Sequence, residues 1–202
     1  MSQKPALTDV DLHELISDRW SPRAFDANRM VEHEDLVTLL EAARWAPSCF
    51  NDQPWRFVVC DKGRGQASWS NLLNALAEKN QLWAKNAPVL ILICADSQFQ
   101  SNGKPNRWGQ YDSGAAAISL ALQATALGLV THQMGGFDMD AARQALGVPE
   151  QFQPMAVMAV GYPGDINALD GVFREAESSP RQRADLNSRF YLSRWDEPVG
   201  DA

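Results

Sequence analysis

The stretch YDSGAAAISLALQATAL, residues 111–127, decides the fold of this 202-residue chain. It is rich in Ala, Leu and Ile, and Gly128 follows at the position where a helix commonly ends. Such a composition is typical of a helix that is buried on nearly all sides. We therefore predict a helix over 111–127 at the centre of the structure.

Strands and helices alternate on both sides of this helix. The segment PVLILICA, residues 88–95, is apolar throughout, as is a strand that is buried on both faces. Further strands are predicted at 55–60, 129–134 and 154–161, and helices at 34–45, 66–78 and 138–146, after a first helix capped by Thr8 and ending near Asp18. The alternation alone favours a doubly wound, parallel α/β sheet.

The C-terminal region, residues 162–202, shows no periodic element. It is nevertheless too apolar for a free tail, because it carries Phe173, Phe190, Tyr191, Leu192 and Trp195. We expect a single domain over 1–202 in which residues 162–202 form an extended arm that packs on a second subunit.

Composition narrows the class of partner. A net charge of −7 argues against nucleic acid or an anionic membrane as the main partner, since both need clustered cations. The N-terminus lacks an apolar signal core, so a cytoplasmic protein with a small-molecule ligand is expected. Three widely spaced cysteines predict reduced thiols, and His13, His33 and His132 lack metal-ligand spacing, so no metal is expected.

Common catalytic motifs are absent. The chain has no GxxxxGK[ST], HExxH, CxxC or GxSxG sequence. The segment GRGQAS, residues 63–68, resembles a dinucleotide loop but lacks the third glycine and the later acidic residue, which favours a polar turn. Cys49 lies in a loop and is a candidate nucleophile, although no device that would lower its pKa is visible.

A basic segment follows the first helix. Arg19, Ser21 and Arg23 alternate, so on an extended backbone their side chains converge on one face, as a phosphate site requires. The alternative interpretation is a solvated basic turn, because surface arginines are common.

The loop at 46–55, APSCFNDQPW, allows a family to be identified. Together with RWSPRAF at 19–25 it resembles the FMN-dependent nitroreductase family, and the resemblance continues through NQLW at 80–83, GGFD at 135–138 and RQR at 181–183. The resemblance implies an α+β fold, in which a mainly antiparallel sheet is flanked by helices around a long central helix. It also implies a homodimer with FMN at the interface and NADH or NADPH as co-substrate.

The resemblance further implies a set of cofactor-binding residues. Arg19, Ser21 and Arg23 match positions that hold the phosphate and ribityl end of FMN, and Arg181 and Arg183 match a second basic pair. A loop that the second subunit contributes is matched by Pro47, Ser48, Cys49 and Asn51. An amide that bonds the flavin is matched by Asn80. The segment whose backbone N–H faces flavin N5 is matched by Met134, Gly135 and Gly136.

The implied activity is ping-pong hydride transfer through flavin N5 to nitroaromatics, quinones or activated alkenes, with no catalytic acid or base assigned. Some relatives carry an acidic residue at the position of Gly135, and many carry serine at that of Cys49, which affects substrate preference. Phe50 and Trp83 are expected to shape a pocket for flat acceptors. The alternatives are dehalogenation or ring oxidation on the same fold, or a flavin-binding protein without catalysis.

Overall fold

A computed structural model describes residues 4–200 of the chain. Seven helices and four strands follow one another within these residues: α1 (Glu14–Asp18), α2 (His33–Arg44), β1 (Trp55–Asp61), α3 (Gln66–Ala75), α4 (Glu78–Ala84), β2 (Val89–Asp96), α5 (Gly109–Ala126), β3 (Val130–Met134), α6 (Met139–Leu146), β4 (Phe152–Gly161) and α7 (Gly171–Ser178). Short 3₁₀ turns lie at 49–51, 166–168 and 186–188. None of these helices combines the length and the apolar character needed to cross a bilayer.

The four strands form one antiparallel sheet in the order β1-β2-β4-β3. The α+β class implied by the family resemblance is confirmed, and the parallel arrangement favoured by the alternation alone is wrong. Alternation fails as a guide here because it shows which segments are apolar but not which strands become neighbours.

Strand β2 separates two hydrophobic cores. All its residues are buried, as predicted, and they alternate between the two faces of the sheet. Leu90 and Leu92 pack with α3 and α6, whereas Ile91 and Ile93 pack with α2 and α5. The two helical layers therefore cover opposite faces.

Helix α5 is the longest helix of the described chain and lies on the second face. Its first residue must be glycine, because a Cβ at Gly109 would lie 2.2 Å from the Asp96 carbonyl oxygen. Contrary to the prediction of burial on nearly all sides, Tyr111 and Ile118 are 78% and 42% exposed. One side of the central helix thus remains open to a partner.

Two predicted helices differ in extent. The helix of 66–78 ends at Ala75, where Leu76 turns into an isolated bridge with Phe137, and α4 starts separately at Glu78. The first helix begins only at Glu14 and is capped by the imidazole of His13. Thr8 instead accepts a bond from the N–H of Val10 in a local turn.

The C-terminal arm contains structure that the sequence analysis missed. Helix α7 buries Phe173 within its own chain, so this ring needs no second subunit. Further along, Tyr191 pairs with Pro198 in a small hairpin and its ring packs against Trp195 at 5.0 Å. Phe190, Leu192 and Trp195 remain exposed.

Candidate functional site

Asp18 is the last residue of α1, and the segment 19–24 that follows it belongs to no helix or strand. Asp18, Trp20, Pro22 and Ala24 line a cavity of about 310 Å³. Arg19 and Ser21 are not among the residues that line this cavity, and Arg19 Nη1 lies 3.5 Å from the Ser21 hydroxyl.

Arginines from both ends of the described chain lie close together. The pKa of Arg19 is lowered by burial and then by the positive charges of Arg181 and Arg183. The pKa of Arg181 is likewise lowered by burial and by Arg183, and the negative charge of Asp18 opposes this shift. Within residues 4–200 none of the three is paired with a carboxylate at ion-pair distance. A cluster of arginines without such ion pairs attracts an anion.

The three arginines are not equivalent. Arg181 donates from Nη1 to the carbonyl oxygens of Lys4 and Ser17, at 2.8 and 2.5 Å, and from Nη2 to that of Arg19 at 3.0 Å. It therefore clamps the N-terminal segment to the arm, a role that the resemblance did not indicate. Arg183 donates only to the neighbouring Gln182 carbonyl oxygen among the described residues and is exposed. Arg19 and Arg183 are the guanidinium groups best placed to bind an anion.

Arg23 is held by a buried carboxylate that the sequence analysis missed. The Arg23 backbone N–H donates to Glu177 Oε1 at 2.8 Å, and Arg23 Nη1 lies 3.5 Å from the same oxygen. Glu177, on α7, has a side chain that is only 2% exposed. Burial raises its pKa, and the Arg23 N–H and charge oppose that rise.

The segment 19–23 is connected to strand β3 through a histidine. His132 Nδ1 lies 3.0 Å from the Pro22 carbonyl oxygen, which requires that Nδ1 carry the proton. Burial lowers the pKa of His132 to about 4, the nearby charge of Arg23 contributes, and the Pro22 hydrogen bond opposes the shift. The ring is therefore neutral at physiological pH and acts as a positioning group.

Trp83 packs against His132 and Phe25. Its ring lies 4.5 Å from that of His132 and is stacked on Phe25 at 6.1 Å. The residue is 1% exposed. In this chain Trp83 lies in the core beneath the site, and its expected role in shaping a substrate pocket stays a prediction.

A second part of the candidate site, the glycine corner, consists of Asn80 and residues 134–136 at the end of β3. Asn80 Nδ2 and the backbone N–H of Ala77 both donate to the Gly136 carbonyl oxygen, each at 3.0 Å. Neither Gly135 nor Gly136 donates its own N–H to another described residue. The Met134 side chain is buried, so this residue can contribute to a ligand site only through its main chain.

One of these two glycines leaves room for a neighbouring side chain. A Cβ at Gly136 would lie 3.1 Å from Asn80 Nδ2, whereas one at Gly135 would meet nothing within 4 Å. Trp83 stands one helical turn after Asn80 on α4 and contacts His132, so this corner adjoins the arginine segment.

The loop at 47–53 is strained and protrudes. Phe50, Asn51 and Gln53 have φ angles of 54°, 55° and 51°, which are unfavourable for residues with a side chain. Ser48 Oγ accepts from the Gln53 N–H at 3.0 Å, and the buried Asp112 of α5 accepts from the Cys49 N–H at 3.0 Å. The sequence analysis assigned no role to Asp112, because its partner Cys49 is 63 residues away in the sequence.

The loop does not join the arginine cluster within one chain. Pro47 and Asn51 are exposed, and Phe50 is 90% exposed. The long-range hydrogen bonds of residues 47–53 go to Asp112 and to the segment 97–106, and none within the described chain goes to the segment 19–23. A single chain therefore brings together two of the three expected parts of the site.

The sequence and the fold of this chain are similar to those of known proteins. A model of the nitroreductase family matches residues 16–162. An uncharacterized 15.4 kDa protein of Mycolicibacterium smegmatis is 35% identical over 150 residues, which cover 71% of this chain and 99% of that protein. A protein of Archaeoglobus fulgidus named as an NADH dehydrogenase/NAD(P)H nitroreductase is 33% identical over 155 residues, covering 75% of this chain and 84% of that protein. A solved structure described as an oxidoreductase containing FMN is 37% identical, with a TM-score of 0.88, and the match covers 95% of this chain and 96% of the other.

Proposed function

This chain belongs to the nitroreductase family, and on that premise we propose that it is a homodimeric, FMN-dependent enzyme that uses NADH or NADPH to reduce small electron-poor molecules. Nitroaromatics, quinones and activated alkenes are the proposed acceptors. FMN, when bound, supplies the chemistry of accepting a hydride and passing its electrons on. The protein binds the cofactor, orients the reactants and leaves one face of the ring accessible.

The convergence of unpaired arginines from both ends of the chain carries the proposal. A phosphate on a protein of net charge −7 needs local cations, and guanidinium groups provide them with two parallel hydrogen bonds. We assign the phosphate to Arg19, Ser21 and Arg183, with Arg181 mainly holding the segment in place. Arg23, tethered by Glu177, is assigned to the ribityl and pyrimidine side.

The glycine corner fits the ring of the cofactor. The N–H groups of Gly135 and Gly136 have no acceptor among the described residues, and Gly136 has no side chain to block a close approach. Asn80 donates an N–H to the Gly136 carbonyl oxygen. The side-chain carbonyl oxygen of Asn80 accepts no hydrogen bond from the described residues and can accept one from a ligand. We propose that a backbone N–H of the 134–136 segment bonds flavin N5.

A second subunit would complete the site. Trp45, Tyr111 and Trp195 are 75%, 78% and 81% exposed, which is costly for an isolated chain. We propose that these surfaces pack in a homodimer, and that Pro47, Ser48, Cys49 and Asn51 of each chain border the flavin bound by the other. One cleft then serves nicotinamide and acceptor in turn, so ping-pong kinetics are expected.

Spectroscopy and FMN titration test this function. The folded protein, supplied with excess FMN, should take up about one flavin per chain, show flavin absorption bands and be bleached by NADH or NADPH under anaerobic conditions. Arg19→Ala should raise the Kd for FMN about ten- to hundredfold, since a charge-assisted hydrogen bond contributes about 1.5–3 kcal/mol.

Arg64→Ala is the matched control. It removes the same charge, but Arg64 is ion-paired with Asp61 in the turn after β1. Its Kd for FMN should therefore stay within about twofold of the parent value. Folded protein that takes up no flavin would overturn the proposal, as would equal losses in the two variants.

A further inference from the structure

A small hairpin between β2 and α5 packs against the protruding loop. Within residues 97–108, the Phe99 N–H donates to the Lys104 carbonyl oxygen at 2.8 Å, and the Gly103 N–H donates back to the Phe99 carbonyl oxygen at 2.8 Å. Gly103 has a φ of 67°, which glycine adopts without strain. The turn presents Phe99 toward residues 47–53.

Asp52 fastens this hairpin to the loop. Its Oδ1 accepts from the Gln100 N–H at 3.0 Å and its Oδ2 from Asn106 Nδ2 at 3.2 Å. Gln100 Nε2 also donates to the Asp52 carbonyl oxygen at 3.1 Å. Three hydrogen bonds over a separation of about 50 residues make the hairpin and the loop one unit.

The aromatic rings continue this contact. Phe50 meets Phe99 edge to face at 6.1 Å, with an interplanar angle of 67°, and Phe99 meets Trp108 at 6.2 Å. Phe50 has a left-handed backbone and is 90% exposed, so within the described chain little besides Phe99 holds its ring. Edge-to-face pairs stabilise one ring orientation over others.

A groove of about 750 Å³ opens beside these rings. Phe50, Trp55, Arg56 and Asn102 are among the residues that line it. Arg56 Nη1 donates to the carbonyl oxygens of Gln53 and Trp55, at 3.0 and 2.7 Å. Aromatic faces beside amide and guanidinium donors suit a flat molecule with polar oxygen substituents.

We propose that Phe99 is a positioning residue that fixes the ring of Phe50 and thereby selects flat aromatic acceptors over compact ones. The inference rests on the proposed function, in which Phe50 borders the acceptor site. Phe99 acts through Phe50 and does not itself touch the reacting atoms. The 97–108 hairpin is then a determinant of acceptor specificity that lies outside the cofactor site.

Steady-state kinetics with two acceptors test the inference. Menadione represents a flat quinone, and ferricyanide is a compact acceptor that needs no aromatic contact. Phe99→Leu should raise the KM for menadione about two- to tenfold, as expected for loss of an aromatic pair. The kcat for menadione, the KM for ferricyanide and the rate of flavin reduction by NAD(P)H should each change less than about twofold.

Two further variants separate positioning from folding. Phe99→Tyr keeps the ring and should retain the parental KM for menadione, whereas Asp52→Ala releases the hairpin and should raise it as Phe99→Leu does. Lys104→Ala, on the same hairpin but with an exposed side chain, is the control and should behave as the parent. Thermal unfolding confirms that each variant is folded.

The outcomes distinguish this inference from the function on which it rests. If Phe99→Leu leaves the menadione KM unchanged, or raises both KM values equally, the positioning role is wrong while flavin binding and NAD(P)H oxidation stand. If the parent protein binds no FMN or oxidises no NAD(P)H, the proposed function is wrong, and the positioning role of Phe99 is wrong with it.

Discussion

Replacement of Glu177 should test how the basic segment is held in place. Its side chain is 2% exposed and accepts the Arg23 N–H at 2.8 Å. Glu177→Ala removes the acceptor and leaves that N–H without a protein partner beside the cavity that Glu177 helps to line. Glu177→Gln keeps a carbonyl oxygen at the same place and removes only the charge. The two substitutions therefore separate the acceptor from the charge.

The magnitude follows from the contacts. A donor left unsatisfied in this way costs about 1–3 kcal/mol. The second contact, from Arg23 Nη1 at 3.5 Å, adds little, because the Arg23 side chain is 31% exposed and water can replace the carboxylate. We expect Glu177→Ala to lower the free energy of unfolding by about 2 kcal/mol and the Tm by roughly 4–8 °C.

The pH dependence should differ between the two variants. Burial raises the pKa of Glu177 in the folded state, so its contribution to stability is greatest below the pKa of the unfolded chain and is lost as pH rises through the folded pKa. Gln does not titrate, so Glu177→Gln should lack this loss. Its free energy of unfolding at pH 7 should lie within about 1 kcal/mol of the parent value.

Urea unfolding between pH 4 and pH 7, with FMN titration at pH 7, measures both effects. FMN binding should weaken in Glu177→Ala, since the Arg23 backbone is released, and should persist in Glu177→Gln. Glu41→Ala serves as the control, because Glu41 is an exposed partner of Arg44 and exposed ion pairs contribute little to stability. Equal destabilisation by Gln and Ala at position 177 would refute the reasoning, because the charge would then matter more than the acceptor.

Two other substitutions address the interior of the site. Gly136→Ala should destabilise the protein by about 1 kcal/mol more than Gly135→Ala, because the new Cβ at position 136 displaces Asn80 and weakens one hydrogen bond. Equal Tm values for the two variants would contradict this steric argument. For His132, the folded pKa of about 4 lies below the ordinary imidazole pKa of 6.5, so its contribution to stability is present above pH 6.5 and is lost as pH falls toward 4, by up to about 3 kcal/mol. His132→Gln should flatten the stability profile over that window, and a profile parallel to that of the parent would show that another group titrates.

Local patterns in the sequence predicted most of the elements correctly. Strand β2 and helix α5 were predicted within two residues at each end, because continuous apolar composition and a terminal glycine are properties of the segment itself. The loop at 47–53 was also identified as a loop, since a proline at each end excludes a regular element. The antiparallel sheet came from the resemblance and not from the pattern.

Helix α7 shows why one element was missed. It buries only Phe173 and Glu177, which stand four residues apart, and a charged residue at a buried position conceals the apolar stripe by which a helix is normally recognised. Asp170 at the N-cap and this i, i+4 spacing were the available signals.

The sequence by itself determined which segments are apolar, where they turn and which of them carry the arginines, glycines and strained loop of the site, because these features depend on neighbours along the chain. Only the tertiary structure decided that Arg181 is a clamp, that Trp83 lies in the core and that Glu177, Asp112 and Asp52 hold the site segments in place. Those roles depend on contacts between residues separated by about 50 to 160 positions. No periodicity relates such residues, and they meet only when packing against the shared sheet brings them together.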